Sequence, residues 1–197
     1  MAVSLDATND TPLFTTERLE LSFGKPQDAD VLFPYVHEEP GRLVTDTLVW
    51  NGPVDREDAV RFFELHALGT FGENGFHWLL RDRTGEITGT AGEAMGSIGV
   101  RPTDDPEVCD IGYWLGAPFW GKGLMAEAIV AIARHCFDHL GFAVVAADVF
   151  STNARSARLL EKLGFEQAGE MPAYNIKRGC PVDGLHYVLR ADTSGIN

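Results

Sequence analysis

Apolar and polar positions in the middle of the chain change from a strand pattern to a helix pattern and back. Residues 109–115 favour a strand, and a turn signal follows at 116–118. From Gly121, apolar residues recur at helical spacing, which predicts a helix to about His139. Residues 143–147 form a continuous apolar run, typical of a strand covered on both faces. This order predicts a right-handed crossover between two parallel strands. The helical stripe consists of Met125, Ile129, Ile132, Cys136 and Leu140.

The opening of this helix carries a candidate anion site. The first backbone N–H groups of a helix have no partner within it, and they point outward with the positive end of the dipole. Gly121 and Gly123 would let a phosphate diester approach the main chain, and Lys122 adds a positive charge. The alternative is that the two glycines only turn a strand into a helix, which happens in many folds.

The same residues partly resemble the phosphate-binding loop of nucleotide hydrolases. Residues 116–122 satisfy the first seven positions of a Walker A motif, and residues 144–148 imitate the strand that carries a Walker B aspartate. The eighth position is Gly123, where a P-loop needs a Ser or Thr hydroxyl for magnesium. Pro118 and Trp120 also fit poorly in a loop whose amides wrap a phosphate. The sequence therefore disfavours a P-loop.

A second short helix follows, and the combined motifs resemble a known family. Residues 151–153 supply capping candidates, and Gly164 is placed to end the helix. The whole pattern resembles the GNAT acetyltransferase superfamily and, within it, the RimJ/RimL-like branch that includes ribosomal-protein N-terminal acetyltransferases. The motifs that carry the resemblance are IGYWL at 111–115, PFWGKG at 118–123, AEA at 126–128, NARS at 153–156 and LLEKLGF at 159–165.

The resemblance covers most of the chain and implies one α/β (α+β) domain over residues 16–191. Segment 1–15 is expected to be flexible, and 192–197 to be a tail. The implied fold is a mixed, mostly antiparallel twisted sheet with one splayed parallel strand pair, flanked by helices. Residues 86–95 look like an insertion relative to a compact family hairpin. Expected strands lie at 16–21 and 76–81, and residues 98–100 are the start or middle of a third. Residues 178–183 followed by 185–189 fit a final hairpin strand, and expected helices lie at 26–36, 56–68 and 154–163.

The resemblance also implies a site for acetyl-CoA as co-substrate. The splayed end of the first parallel strand, at Tyr113, Trp114 and Leu115, would pair with the pantetheine chain. The backbone N–H of Leu115 would polarise the thioester carbonyl. Pro118 stands where a Gln or Arg often starts the loop in the superfamily, which removes one side-chain contact. The amides that would hold the pyrophosphate belong to Gly121, Lys122, Gly123, Leu124 and Met125.

Two polar residues of the NARS motif match family positions that face the cofactor. Asn153 would face the pantetheine chain, and Ser156 would lie near the thioester sulfur, where its hydroxyl could protonate the leaving thiolate. The alternatives are helix capping for Asn153 and a solvated first-turn serine for Ser156. For Asn153, both roles are compatible.

The chemistry implied is direct attack of a neutral amine on the thioester, without a covalent enzyme intermediate and without a metal. An α-amino group, with a pKa of about 7.7–8.0, needs less help from a base than lysine, at about 10.4. Asp110 lies beside the expected acetyl site and is the candidate base, directly or through a water, with solvent exposure as the alternative. Glu170 and Tyr174 are alternative bases, and Asn175 occupies a region where some relatives carry a carboxylate.

The acceptor is less constrained than the cofactor. Residues 48–53 resemble the substrate-side loop of the branch, so Trp50 would line the acceptor pocket or simply anchor the loop onto the sheet. A peptide or protein α-amine comes first by resemblance, while amino acids, polyamines and antibiotic amines stay open. The competing hypothesis is a catalytically weak sensor that binds acyl-CoA or a partner protein. The two hypotheses differ in whether the protein turns over acetyl-CoA with an amine. Both leave open that the protein is a homodimer.

Composition narrows the remaining function classes. The formal net charge of −13 argues against direct nucleic acid binding, which needs Lys and Arg at phosphates. No signal peptide or membrane span is visible, so a cytoplasmic location is expected. The three cysteines show no zinc-type spacing and are expected to be reduced thiols. His135 and His139 lie four apart, but no accompanying carboxylate supports a metal site.

Overall fold

The computed structural model describes residues 14–37, 42–48, 51–66, 75–171, 176–177, 180–192 and 195. Two sheets occur within these ranges: one of eight strands and one of two. The strands are β1 (Phe14–Thr15), β2 (Leu19–Ser22), β3 (Phe76–Asp82), β4 (Ala94–Pro102), β5 (Val108–Leu115), β6 (Val144–Phe150), β7 (Glu166–Glu170), β8 (Ile176–Lys177), β9 (Cys180–Pro181) and β10 (Gly184–Arg190). The large sheet has the order β1-β2-β3-β4-β5-β6-β10-β7, and β8 pairs with β9.

Strands β5 and β6 form the parallel pair of the large sheet, and its other described pairings are antiparallel. The parallel pairing begins at Val108 with Val144 and ends at Asp110 with Ala146. Both strands continue beyond this point, to Leu115 and Phe150, without further pairing to each other. The expected mixed sheet with one splayed parallel pair is therefore confirmed.

The described helices are α1 (Asp28–His37), α2 (Arg42–Thr45), α3 (Arg56–His66), α4 (Leu124–Asp138) and α5 (Ala154–Lys162). The predicted crossover helix is present as α4, but it begins at Leu124 rather than Gly121. A single 3-10 turn occupies Ala117–Phe119 before it. Among the described helices, none is long and apolar enough to cross a membrane.

Two apolar layers cover the two faces of the sheet. On one face, Trp78, Ile98 and Ile111 pack with the stripe of α4, and every residue of the predicted stripe is buried. On the other face, Leu79 packs with Leu32 of α1 and with neighbouring alanines of α1, α3 and β4. Within the described residues this second layer covers only part of its face, and residues of the splayed region of β5 and β6 line a cleft on that side.

The connection between β3 and β4, which contains most of the expected insertion, is organised around one buried carboxylate. Asp82 is fully buried, and its Oδ1 accepts a hydrogen bond from the backbone N–H of Gly85 at 2.9 Å. Its Oδ2 accepts from the backbone N–H groups of Ile87 and Thr88 at 2.8 Å each. Burial alone would raise the pKa of Asp82, but these hydrogen bonds outweigh it and hold the pKa below its usual value.

Two of the cysteines lie in the core. Cys109 and Cys136 are free and fully buried. A hydrogen bond with the Cys109 thiol, together with burial, raises the pKa of Cys136. A thiol with a raised pKa is a poor nucleophile, so Cys136 acts as an apolar core residue. The side chain of Cys180 lies outside the described residues.

Candidate active site

A cleft of about 1500 Å³ passes through the point where β5 and β6 diverge. One end is lined by the loop before α4 and by the first turn of α5, and the other end by residues of β3, β4, α1 and α3. The cleft therefore reaches both faces of the sheet. A ligand bound from the α4 side and a ligand bound from the opposite side can meet at the splay.

The loop before α4 owes its shape to two glycines in the left-handed region. Gly121 has φ 77° and Gly123 has φ 78°, and Gly123 is the N-cap of α4. A Cβ added to Gly121 would meet no described atom within 4 Å, so space is available for a side chain. Glycine is favoured there because of the positive φ. Among the described residues no side chain caps α4, and Gly123, Leu124 and Met125 line the cleft. The first N–H groups of the helix are thus available to an anion.

A charged clamp that was not predicted from the sequence ties this loop to the turn between β1 and β2. Arg18 donates from Nη1 to the carbonyl oxygen of Lys122 at 2.8 Å and from Nε to Glu127 Oε2 at 2.8 Å. Glu127 Oε1 also accepts from the Thr16 hydroxyl and from the Arg18 backbone N–H. Burial alone would raise the pKa of Glu127, but these hydrogen bonds prevail and lower it. The clamp therefore holds the loop before α4 in position through the Lys122 carbonyl oxygen and Glu127.

A pair of hydroxyl groups lies at the splay. Tyr113 Oη and Ser156 Oγ share a hydrogen bond of 2.7 Å. Burial raises the pKa of Tyr113 to about 12, although the hydrogen bond to Ser156 opposes the shift. Tyr113 therefore stays protonated near neutral pH. The backbone N–H of Ser156 donates to Asn153 Oδ1 at 3.1 Å, so Asn153 caps α5 and fixes the turn that carries Ser156.

The end of β5 directs its backbone groups to two sides. The N–H of Gly116 donates to the Met95 carbonyl on β4, and the Trp114 carbonyl also points toward β4. Because successive N–H groups of a strand alternate in direction, the N–H groups of Tyr113 and Leu115 point into the splay. The Leu115 carbonyl already accepts from Trp120 Nε1 at 2.6 Å. Trp114 contributes its side chain, which packs on the opposite face from Tyr113.

Two arginines of α5 line the cleft near the loop before α4. The Arg155 guanidinium lies 3.9 Å from the centroid of the Trp120 ring, and Arg158 lines the same cleft. Lys122 is exposed in the adjoining loop. These arginines were not predicted from the sequence, although Arg155 lies within the NARS motif and carries the charge expected near a phosphate.

The other face of the splay carries one ion pair and one hydrogen-bonded carboxylate–histidine pair. Asp110 Oδ2 accepts from Arg101 Nη2 at 3.2 Å, and Asp148 Oδ1 lies 2.7 Å from His186 Nδ1. Burial raises the pKa of Asp110; Arg101 and His186 oppose the rise and the negative charge of Asp148 adds to it. Arg101 and His186 were not predicted from the sequence, and Asp148 stood out there only as the aspartate of a Walker B look-alike. The three residues come from three different strands, so no local motif joins them.

Four residues predicted to lie near the acceptor are not seen to line the cleft. Trp50, Tyr174 and Asn175 lie outside the described residues. Glu170 is exposed at the end of β7. Over the described parts of the chain, no group of three or more His, Cys, Asp or Glu side chains is arranged to hold a metal ion.

Sequence comparisons place this geometry among known proteins. A family model described as an acetyltransferase (GNAT) domain matches residues 18–166. The uncharacterized N-acetyltransferase YoaA of Bacillus subtilis is 29% identical over 180 residues, which cover 90% of this chain and 96% of that protein. The L-methionine sulfoximine/L-methionine sulfone acetyltransferase of Salmonella typhimurium is 29% identical over 150 residues, 73% of this chain and 80% of that protein. The ribosomal protein uS5-alanine N-acetyltransferase of Escherichia coli is 38% identical over 66 residues, 34% of each chain.

Solved structures share the fold. The Microcin C7 self immunity acetyltransferase MccE, in complex with acetyl-CoA and AMP, matches with a TM-score of 0.76 at 20% identity, over 91% of this chain and 97% of that chain. Apo RimL, a ribosomal L7/L12 α-N-protein acetyltransferase, matches with a TM-score of 0.75 at 19% identity, over 90% and 95%. At these identities the likeness shows the fold alone. Because the family model spans most of the chain, the protein belongs to the GNAT acetyltransferase family and is an acetyl-CoA-dependent N-acyltransferase.

Proposed function

We propose that this protein transfers the acetyl group of acetyl-CoA to the α-amine of a peptide or protein, as a member of the RimJ/RimL-like branch. The observation that carries the proposal is the Tyr113–Ser156 hydroxyl pair, which lies at the splay between the candidate anion site and the sheet face that carries Asp110 and Asp148. The acceptors in the names of two relatives, an alanine of ribosomal protein uS5 and methionine derivatives, support an amino acid or its residue as the acceptor class.

The cofactor end is proposed to bind acetyl-CoA through backbone groups first and side chains second. The amides of residues 121–125 receive the pyrophosphate, and the gap-facing backbone of Tyr113 and Leu115 pairs with the pantetheine chain. Asn153 contributes by capping α5, and it also lines the cleft. Arg155 adds a positive charge next to the phosphates. These contacts give the net-acidic chain a local anion site.

The leaving group is proposed to receive its proton from Ser156. Acetyl-CoA supplies an activated acyl group whose departure leaves a thiolate. The Ser156 hydroxyl donates a proton to that sulfur, and a water in the cleft returns a proton to Ser156. The Tyr113 hydroxyl keeps its own proton and donates the 2.7 Å hydrogen bond that stabilises Ser156 Oγ during this exchange. The Leu115 N–H, which points into the splay, stabilises the negative charge that develops on the carbonyl oxygen.

The proton of the attacking amine is proposed to go to Asp110. The raised pKa of this carboxyl, caused by burial, makes it a better proton acceptor than an ordinary aspartate. Asp110 is paired with Arg101, and Arg101 rather than Asp110 belongs to the cleft lining described here. We therefore propose that the proton passes through an intervening water. The scheme uses no metal.

The proposal is tested by an acceptor panel. Acetyl-CoA binding is measured by calorimetry, and then thiol release and product mass are followed with N-terminal peptides, amino-acid amides, free amino acids and polyamines. N-acetylated peptides or amino-acid amides would support the proposal. Binding of acetyl-CoA without turnover on any acceptor would contradict it and favour the sensor hypothesis. Turnover only on polyamines would overturn the proposed acceptor class and leave the transferase activity intact.

A further inference from the structure

We infer that Asp148, held in place by His186, forms the seat for the acceptor's ammonium group on the sheet face opposite α4. This inference rests on the proposed function and deepens it, because it names a residue that selects the acceptor. The class of ligand is a primary ammonium ion, such as the charged α-amine of a peptide or an amino-acid amide. Asp148 is assigned a binding role, while the proposed proton acceptor stays Asp110.

The position of Asp148 in the sheet gives the first argument. Residues two apart on a strand face the same side, so Asp110 and Gly112 share one face of β5, and Ala146 and Asp148 share the corresponding face of β6. Pairing between the two strands ends at Asp110 with Ala146. Asp148 is therefore the first side chain of β6 beyond the last pair on that face, and it stands at the edge of the splay.

A hollow beside Asp148 gives the second argument. Gly112 is exposed, and a Cβ added there would come no closer than 3.9 Å to any other group, the nearest being Arg101 Nη2. The cleft is lined at this point by Gly112, Arg101 and Asp148. The absence of a side chain at Gly112 thus leaves room for a small group between the two strands, within reach of the splay where acetyl transfer is proposed.

The state of the Asp148 carboxylate gives the third argument. His186 Nδ1 lies 2.7 Å from Oδ1, which engages one of the two carboxylate oxygens and fixes the side chain. About a third of the Asp148 side chain, 33%, remains exposed. A fixed, partly exposed carboxylate that lines a cleft is suited to a charge-assisted hydrogen bond from an ammonium group.

The contrast with Asp110 gives the fourth argument. Both carboxylates lie on the same face, but the Asp110 carboxylate is engaged by a guanidinium, and 24% of its side chain is exposed. The charge of Asp148 contributes to the raised pKa of Asp110, so the two groups are close enough to interact. A cation seated at Asp148 would therefore lie next to the group proposed to accept its proton.

The test separates binding from catalysis with matched variants. With L-alaninamide as acceptor, Asp148→Asn should raise the acceptor KM by about 10- to 100-fold, the effect of a lost charge-assisted hydrogen bond, and change kcat by less than about threefold. Asp110→Asn, the matched control on the same face, should instead lower kcat. His186→Ala should raise the acceptor KM several-fold, and His186→Gln, whose amide still donates, should restore most of it. A Kd for acetyl-CoA that is unchanged from wild type shows that each variant is folded.

A second measurement works without turnover. Ethylammonium chloride is titrated into the protein in the presence of CoA, and saturation-transfer NMR reports contact between protein and ligand. The seat predicts a signal in the wild type and in Asp110→Asn that is lost in Asp148→Asn. If no acceptor is acetylated but this pattern holds, the proposed function fails and the seat stands. An absent wild-type signal, a signal retained in Asp148→Asn, or a KM unchanged by that substitution overturns the seat.

Discussion

The two ends of the cleft are built in different ways. At the proposed cofactor end, backbone amides and neighbouring side chains come from two short stretches, 113–125 and 153–156. The proposed acceptor face carries side chains from four strands, as an ion pair between Arg101 and Asp110 and a hydrogen bond between Asp148 and His186. The proposed co-substrate site is therefore local in sequence and visible in motifs, whereas the proposed acceptor site depends on the assembled sheet.

Because of this difference, substitutions are expected to affect acetyl-CoA binding and acceptor binding separately. A backbone site is lost only when a dihedral angle or the local charge is changed, because most side-chain substitutions leave the N–H groups in place. A site made of side chains is lost when any one of those side chains is replaced. Substitutions at the cofactor end are thus expected to act on acetyl-CoA binding or on its leaving group, and substitutions on the acceptor face to act on the amine.

The largest expected effect is at Gly123. Gly123→Glu places a side chain at φ 78° and a negative charge beside the expected pyrophosphate, so acetyl-CoA binding should weaken by about 100-fold or more. Calorimetry measures the change. Gly89→Glu is the matched control, because Gly89 has φ 93° and lies in the β3–β4 turn with nothing within 4 Å of an added Cβ. Equal loss in both variants, or tight binding in Gly123→Glu, would contradict the placement of the pyrophosphate.

The next effect concerns the leaving group. Ser156→Ala should lower kcat by about 100-fold, the typical contribution of a positioned proton donor, while the Kd for CoA changes little. Tyr113→Phe should have a smaller effect on kcat in the same direction. Steady-state rates of thiol release test both. Ser151→Ala, an exposed serine just before the α5 cap, is the control and should keep the wild-type rate. An unchanged kcat in Ser156→Ala would remove this residue from the mechanism.

A moderate effect is expected from the cation on α5. Arg155→Ala should weaken acetyl-CoA binding by about 3- to 10-fold, in line with one partly exposed charge-assisted contact, and make binding less sensitive to salt. Titrations at two salt concentrations measure both changes. Arg190→Ala removes an exposed cation at the end of β10 and serves as the control. If Arg155→Ala leaves the affinity and its salt dependence unchanged, the guanidinium serves only to pack against Trp120.

The smallest effect on the binding of acetyl-CoA and of the acceptor is expected from a substitution in the β3–β4 turn. Asp82→Asn puts an amide donor opposite backbone N–H donors, so the free energy of unfolding should fall by about 2–3 kcal/mol. The variant should still bind acetyl-CoA and acceptor normally at a temperature where it is folded. Because the folded-state pKa of Asp82 is lowered, its stabilisation is present above the ordinary aspartate value of about 3.9 and is lost as pH falls below that value.

Denaturant unfolding between acidic and neutral pH checks this prediction. The wild type should lose more stability than Asp82→Asn as the pH falls through this range. Equal stability of the two proteins at neutral pH would show that the turn does not depend on the carboxylate. Altered affinity for acetyl-CoA at neutral pH would show that the turn is coupled to the cleft.

The sequence predicted the fold where local pattern and packing agree. The stripe from Met125 to Leu140 is buried as expected, because a helix on a sheet must hide one face. The start of α4 was predicted three residues early, since the left-handed glycines keep residues 121–123 out of the helix. Strand β7 was not predicted, because all five of its residues are exposed and show no apolar alternation. Its pairing with β10 defines it instead.

In the candidate site, too, the residues within local motifs could be predicted and those joined only by the fold could not. Tyr113 and Ser156 were named from motifs, and the structure brings their hydroxyl groups together although they lie on different elements. Asp148 and His186 carry no spacing signal, because the antiparallel register of β6 and β10 rather than distance along the chain makes them neighbours. The Arg18–Glu127 clamp was missed for the same reason, since it joins the beginning of the chain to α4.

The most direct test of the central claim, that acetyl-CoA lies in the splay of β5 and β6, is amide hydrogen exchange with and without acetyl-CoA. The account predicts slower exchange at residues 121–125 and at Tyr113 and Leu115, with the β3–β4 turn unchanged. Unchanged exchange at these positions, with protection at another surface, would contradict it.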